Sequence, residues 1–223
     1  EPDGTGKNYA PGSTFVFTNA SVTLYARWKE VSGPVTLVTP TVPAGVISAL
    51  DRHGLTSTQY WEFDDANQVS YDSPSLCFAY NHPFSISVWF RANELPPLPN
   101  YHYWYIVSLM GVAGDFNYFM TLDGPNAGAL AACVTKNCAG SNFVLYPVTV
   151  GVWHHAVMVY NGRMLELYVD GASRGTTLYT FGASPTPMTP MNLGGGSGSC
   201  FQGSIGELKV YDRAISADEV AAL

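Results

Sequence analysis

The feature that most constrains this chain is a period-two alternation of apolar and polar residues, cut at intervals by turn dipeptides. In Pro83–Arg91, Phe84, Ile86, Val88 and Phe90 fall on one face, and Ser85, Ser87, Trp89 and Arg91 on the other. A strand sends successive side chains to opposite faces, so this pattern fits a half-buried strand and not a helix. Val152–Tyr160 alternates likewise, with Trp153, His155, Val157 and Val159 on one side. Asn161-Gly162 reads as a two-residue hairpin turn into Arg163–Val169, and Asp170-Gly171 as a second into Ser173–Thr180, because both dipeptides accept the positive φ of a type I′ turn. Further strands are predicted at Gln59–Phe63, Gln68–Tyr71, Ser75–Ala79, Tyr103–Leu109, Phe116–Leu122, Ala129–Val134 and Phe201–Tyr211. So many short strands at this spacing predict an all-β protein, a two-sheet antiparallel jelly-roll sandwich. The one helix is the last element: Ser216-Ala-Asp-Glu219 is a capping box before Val220–Leu223, expected to pack over the sandwich edge.

Composition narrows the function. Only 12% of residues are charged, the net charge is −7, and the basic residues are scattered singly. Nothing is gathered to neutralise phosphates, which argues against a nucleic-acid partner. No apolar stretch approaches the roughly 20 residues that span a bilayer. The opening residues, EPDGTGKNYAPG, lack a basic start and an apolar centre, so a secretion signal is expected upstream. The low-charge, Ser-, Thr-, Asn-, Gly- and Tyr-rich surface suits a secreted or cell-surface β-protein. Of the three pairings open to Cys77, Cys133, Cys138 and Cys200, the expected one joins Cys133 to Cys138 and Cys77 to Cys200, the alternative being buried thiols.

The N-terminal segment has a different character. Thr14–Phe17 and Ser21–Trp28 read as two strands, which do not stand alone in water, and Val31–Gly45, with Pro34, Pro40, Pro43 and no charged residue, reads as an extended linker. The run Asp3-Gly-Thr-Gly-Lys-Asn-Tyr-Ala-Pro-Gly-Ser-Thr-Phe-Val-Phe17, with Ser21-Val-Thr-Leu-Tyr-Ala-Arg-Trp28, resembles the closing half of an internalin-type B repeat. This divides the chain into a partial repeat at 1–29, a linker at 30–48 and a main domain at 49–223.

The main domain carries Trp61-Glu-Phe-Asp-Asp65, Phe84-Ser-Ile-Ser-Val-Trp-Phe90, Val152-Trp-His-His-Ala-Val157, Leu167-Tyr-Val-Asp-Gly171 and Phe201-Gln-Gly-Ser-Ile-Gly-Glu-Leu-Lys-Val-Tyr211. Together these resemble the laminin G-like jelly roll of the concanavalin A-like lectin and glucanase superfamily. The resemblance implies that fold and recognition of carbohydrate or protein, without fixing the ligand.

Enzymes that resemble this domain carry an E-x-D-x-E run, giving two carboxylates on one strand face as nucleophile and acid. Glu62-Phe-Asp64 starts that pattern, but Ala66 stands at the next position, and the Glu166/Asp170 pair brackets Tyr168 within a structural hairpin motif. No enzyme activity is expected. His154 and His155 point to opposite faces of a strand and are read as packed residues. For calcium, two sites are candidates: Asp115 at the sandwich rim, with carbonyls from Ala131–Thr135, and a cluster of Asp64, Asp65 and Glu207 from the first and last strands. Gly206 replaces the acid that the resemblance implies before Glu207. Sugar binding needs exposed aromatic faces beside amides or carboxylates. The run Asn100-Tyr-His-Tyr-Trp-Tyr105 offers Tyr101, Tyr103 and Trp104, with one of its two faces reserved for the core. Gly194–Gly198 lacks the Lys and helix of a phosphate loop and reads as a turn. The expected function is a non-catalytic extracellular recognition domain of a cell-surface or secreted protein, binding a glycan or an extracellular protein in adhesion. The alternative is a structural subunit of an extracellular filament or coat, self-associating by β-strand completion through the N-terminal strands.

Overall fold

The period-two segments fold as strands. A computed structural model describes residues 47–50, 56–64, 68–71, 76–79, 81–97, 103–110, 116–134, 143–179, 190–195 and 200–223. The chain divides into two units, Glu1–Gly33 and Pro34–Leu223, and every described residue belongs to the second. The partial repeat and its proposed strand completion, and most of the linker, lie outside the described residues.

In chain order the strands are β1 (Ile47–Leu50), β2 (Thr56–Phe63), β3 (Val69–Tyr71), β4 (Phe84–Ala92), β5 (Tyr103–Met110), β6 (Phe116–Asp123) and β7 (Ala129–Cys133). They continue with β8 (Val144–Tyr146), β9 (Trp153–Tyr160), β10 (Met164–Val169), β11 (Ala172–Leu178), β12 (Met191–Leu193) and β13 (Gly203–Tyr211), followed by helix α1 (Ala217–Ala221). They form a seven-stranded sheet, β1-β2-β13-β4-β9-β10-β11, and a six-stranded sheet, β3-β12-β5-β6-β7-β8. This is the jelly-roll sandwich that the alternation predicts.

The core fills the space between the sheets. Phe84, Ile86, Val88 and Phe90 of β4 and Ala156, Met158 and Tyr160 of β9 are buried there. They meet Leu109, Tyr118, Met120 and Leu122 of the other sheet, and the Phe84 and Tyr118 rings lie 5.3 Å apart across the layer. Each such side chain contributes roughly 1.5–3 kcal/mol on burial. Burial also pushes the Tyr118 phenol well above its usual range, so it stays neutral.

Some local readings change. Asp170 (φ 53°) and Gly171 (φ 74°) form the turn that two positive φ values require. Asn161-Gly162 does not: Gly162 alone is positive, at 90°, and Asn161 Oδ1 accepts the Arg163 and Met164 N–H groups, which holds a longer connection. Residues 76–79 are not a strand. The Asn117 carboxamide pins them to β6 instead, accepting the Phe78 N–H (3.0 Å) and donating to its carbonyl (2.7 Å). Strands β8 and β12, three residues each, are too short for alternation to announce them. The expected Cys77–Cys200 disulfide is not formed. Cys77 precedes Phe78, which is bound to Asn117, whereas Cys200 bridges Tyr105, the partner of Thr121. Asn117 and Thr121 are about 13 Å apart along β6 at ~3.3 Å per residue, and a disulfide tolerates ~7 Å between Cα atoms. Cys138, the expected partner of Cys133, lies outside the described residues.

Helix α1 has the predicted capping box, with Ser216 accepting the Glu219 N–H and Glu219 reaching back to the Ser216 N–H. It packs on the outer face of the seven-stranded sheet and not on an edge. Ile215 and Val220 cover Val157, Val159, Tyr168 and Tyr211. The Arg213 Nη1 donates to Glu219 Oε2 at 2.9 Å, and Ser85 Oγ donates to the Arg213 carbonyl (2.9 Å) while accepting the Ile215 N–H (3.1 Å).

Candidate functional site

The covering by α1 splits the outer face of the seven-stranded sheet into two halves, and register defines them. Paired residues of antiparallel neighbours project to the same face, so each chain of pairs is a rung across the sheet. Two rungs, Lys209–Ser87–Val157–Tyr168 and Tyr211–Ser85–Val159–Glu166, supply the residues beneath the C-terminal segment. The next two are Tyr60–Gly206–Trp89–His155 and Glu62–Ser204–Arg91–Trp153. No part of the 212–223 segment packs on these in the apolar cluster. A bulge between Gly206 and Lys209, with Glu207 at φ 45°, marks the boundary.

These two rungs, which α1 leaves open among the described residues, are aromatic and polar; Tyr60, His155 and Ser204 are buried within them, and Glu62, Trp89, Arg91 and Trp153 are half-buried. Ser204 and Gly206 leave the middle of the sheet low, and the large side chains on either side lean over it. Tyr60 on β2 and Trp153 on β9 start about 14 Å apart, three strand spacings of ~4.8 Å. Their rings nevertheless meet edge-to-face at 5.6 Å. Trp89 stacks on His155 at 4.7 Å, and His155 Nε2 shares a 2.8 Å hydrogen bond with Ser87 Oγ.

Beside these rings runs a polar network. Arg91 Nη2 donates to Ser204 Oγ (3.0 Å), Ser204 Oγ donates to Glu62 Oε1 (2.7 Å), and Arg91 lies 3.4 Å from the same oxygen. The Arg91 and Glu62 side chains are 32% and 27% exposed, so the pair is within reach of a solute. The Arg91 guanidinium also lies 5.5 Å from the Trp153 ring centroid, and its Nε, a buried donor, has no hydrogen-bond partner among the described residues. Burial first, and the Glu62 carboxylate next, push the Tyr60 phenol above its usual range against the opposing pull of Arg91. Tyr60 is therefore a neutral hydroxyl at physiological pH. Flat rings beside a fixed donor–acceptor pair suit a ligand with C–H faces and hydroxyls.

The two histidines play structural parts. The Thr149 N–H donates to His154 Nε2 (3.1 Å), so Nδ1 carries the proton and donates to Asp170 Oδ2 (2.9 Å). Asp170 Oδ1 accepts the His155 N–H (2.9 Å), tying the β10–β11 turn to β9.

The sequence-derived candidates are dispersed. Trp104 is on the core face, opposite Leu122 and 7% exposed, so it offers no ring to a ligand. Tyr103 is half-buried on the other face, opposite Asp123, while Tyr101 lies outside the described residues. Asp123 is only 1% exposed; its Oδ2 accepts from Asn126 Nδ2 (3.0 Å) and its Oδ1 has no hydrogen-bond partner among the described residues. β2 and β13 do pair, as expected, but the pairing separates the calcium cluster. Phe63 faces Gly203, which puts Asp64 level with Gln202, about 16 Å along the strand from Glu207. Those two do not fit one metal site, and Asp65 and Asp115 lie outside the described residues. Among the described residues no group of three or more His, Cys, Asp or Glu is placed to hold a metal ion.

Sequence reasoning missed Tyr60, Arg91, Trp153 and Ser204 as a site. The signal was available: the non-core faces of β4 and β9 each carry a Trp where a solvated strand would carry short polar residues.

Two antiparallel sheets in this order, with an aromatic and polar outer face, define a jelly-roll sandwich of the lectin and glucanase type. The family model described as the concanavalin A-like lectin/glucanases superfamily matches residues 57–221, and the chain belongs to that family. Solved structures agree on the fold. Domain 4 of AbnA, an extracellular arabinanase of Geobacillus stearothermophilus solved with arabinotriose, is 16% identical, with a TM-score of 0.54 over 74% of this chain and 75% of that one. The binding domain of Paraclostridial Mosquitocidal Protein 1 is 16% identical, with a TM-score of 0.59 over 79% and 44%. A sialidase of Trypanosoma rangeli is 12% identical, with a TM-score of 0.54 over 75% and 27%. A β-mannosidase of Mus musculus is 35% identical over 77 residues, 33% of this chain but 9% of the relative's length.

Proposed function

We propose that this domain is a non-catalytic glycan-recognition module of a secreted or cell-surface protein, binding sugar along the uncovered half of the seven-stranded sheet. One observation carries the reading: the Glu62–Ser204–Arg91–Trp153 rung sets an aromatic ring and a hydrogen-bonded Arg–Glu pair side by side across four strands. A pyranose or furanose packs its C–H face on Trp153 and exchanges hydroxyl hydrogen bonds with Arg91 and Glu62. Membership of a lectin and glucanase family supports this, as does the arabinotriose held by AbnA domain 4. The non-catalytic part rests on how the carboxylates are engaged. Glu62 Oε1 takes hydrogen bonds from Arg91 and Ser204, Glu166 accepts from Ser173, and Asp170 accepts from both His154 and the His155 N–H.

Calorimetric titration of a glycan panel tests the reading, with Trp153→Ala as the variant and near-UV circular dichroism as the check on folding. Stacking on one ring contributes roughly 0.5–1.5 kcal/mol beyond area burial, so with the lost contact area Trp153→Ala should weaken binding about tenfold or more. A panel without a binder, or a folded Trp153→Ala protein that binds as tightly as the parent, overturns it.

A further inference from the structure

We infer that the strip is built for an uncharged glycan, and that Glu62 is the residue that excludes acidic ones. This rests on the glycan reading above and names its ligand class. Of the eight residues on the two uncovered rungs, Arg91 is the one Arg or Lys, and Glu62 is the one carboxylate. Their charges cancel at a separation of 3.4 Å, and Ser204 locks the pair from beneath with bonds of 3.0 and 2.7 Å.

A carboxylate or sulfate arriving at Arg91 meets Glu62 at nearly the same distance, so repulsion offsets the attraction that would draw it in. The chain's net charge of −7 adds a weaker long-range repulsion, screened beyond roughly 8–10 Å at physiological salt. A neutral sugar meets neither obstacle. One hydroxyl of a vicinal diol donates to Glu62 and its neighbour accepts from Arg91, which uses both members of the pair as they stand. Specificity here comes from the repulsive member as much as from the attractive one.

The test uses matched probes: neutral galactose and glucose oligosaccharides, and their galacturonate and glucuronate counterparts, titrated into the full chain and into Glu62→Gln. The parent should bind the neutral member of each pair at least about tenfold more tightly. In Glu62→Gln the amide keeps an acceptor of the same shape while the site gains one net positive charge. The neutral-to-uronate affinity ratio should fall at least about tenfold, and uronate binding to the variant should weaken steeply with salt. Near-UV circular dichroism confirms that the variant is folded. Should it misfold, Glu62→Ala read by the same ratio replaces it. Tighter uronate binding by the parent, or a ratio unmoved in the folded variant, overturns the inference while leaving the glycan reading intact. Binding of neither series overturns both.

Discussion

Gly203 opens β13 one residue before Ser204, and replacing it with Ala tests the seating of the strand on which the site depends. Its φ is 152°, a backbone conformation that side-chain-bearing residues rarely adopt. A Cβ built there falls 2.1 Å from the Arg91 carbonyl oxygen, 3.0 Å from Ala92 Cα and 2.9 Å from Phe201 Cζ. The first contact is more than 1 Å inside ordinary van der Waals contact, which begins at 3.4 Å, and the atom it strikes is backbone. No rotamer change relieves it, so β13 must separate from β4 at the Gly203–Ala92 pair. Overpacking of this kind costs typically about 1–3 kcal/mol and an unfavourable backbone conformation another 1–3, giving about 2–6 kcal/mol against a usual total of about 5–15. Gly171→Ala is the internal control. Its φ of 74° carries a backbone cost of about 1–2 kcal/mol, and nothing lies within 4 Å of the added Cβ. Urea unfolding read from midpoint and slope gives both differences on one scale. If Gly203→Ala costs no more than Gly171→Ala, β13 does not lie against β4 as described, and the rung through Ser204 and Arg91 falls with it.

Two further outcomes follow from single contacts. Asp123→Asn should raise stability by about 1 kcal/mol in thermal or urea unfolding, because it removes a buried charge with an unbonded oxygen and keeps an acceptor for Asn126; a lower midpoint refutes this. The Arg213 hydrogen bonds, and then the Ser216 backbone N–H, hold the Glu219 carboxyl down at about 2 from an ordinary 4.5. A depressed carboxylate stabilises the fold above its unfolded value and loses that contribution as pH falls toward 2. The protection factors of the α1 amides, taken against the intrinsic exchange rate at each pH, should therefore fall below pH 4.5 and reach their limit near pH 2, while Arg213→Ala should move the change upward; protection indifferent to Arg213 contradicts it.

Local chemistry was legible in the sequence, and register was not. The alternation in Pro83–Arg91 assigned the β4 side chains from Phe84 to Arg91 to their faces, and Asp170-Gly171 and Ser216–Glu219 named their turn and cap. The site draws on positions 62, 91, 153 and 204, whose alignment into one rung depends on four strands pairing in one register. Alternation says which face a residue takes and nothing of what stands beside it on the next strand. The Asp64, Asp65 and Glu207 cluster shows this: pairing of first and last strands was foreseen, but Asp64 and Glu207 sit at distant levels of it, and Asp65 lies outside the described residues. Tyr105 shows another limit. It lies on the face opposite Trp104 and is nonetheless buried, at 6%, so the outer face of β5 is covered as well as the inner one. A strand buried on both sides offers no single aromatic face for the sequence to choose.

Sugar binding on the half of the seven-stranded sheet that α1 leaves open can be read from the indole N–H signals of a ¹⁵N-labelled sample during glycan titration. Trp153 and Trp89 border the strip, and Trp104 is enclosed in the core. The Trp153 and Trp89 indoles should show saturable shifts with a common affinity, and the Trp104 signal should stay in place. Shifts confined to Trp104, or binding that leaves Trp153 and Trp89 unmoved, would put the ligand elsewhere on the molecule and overturn the assignment.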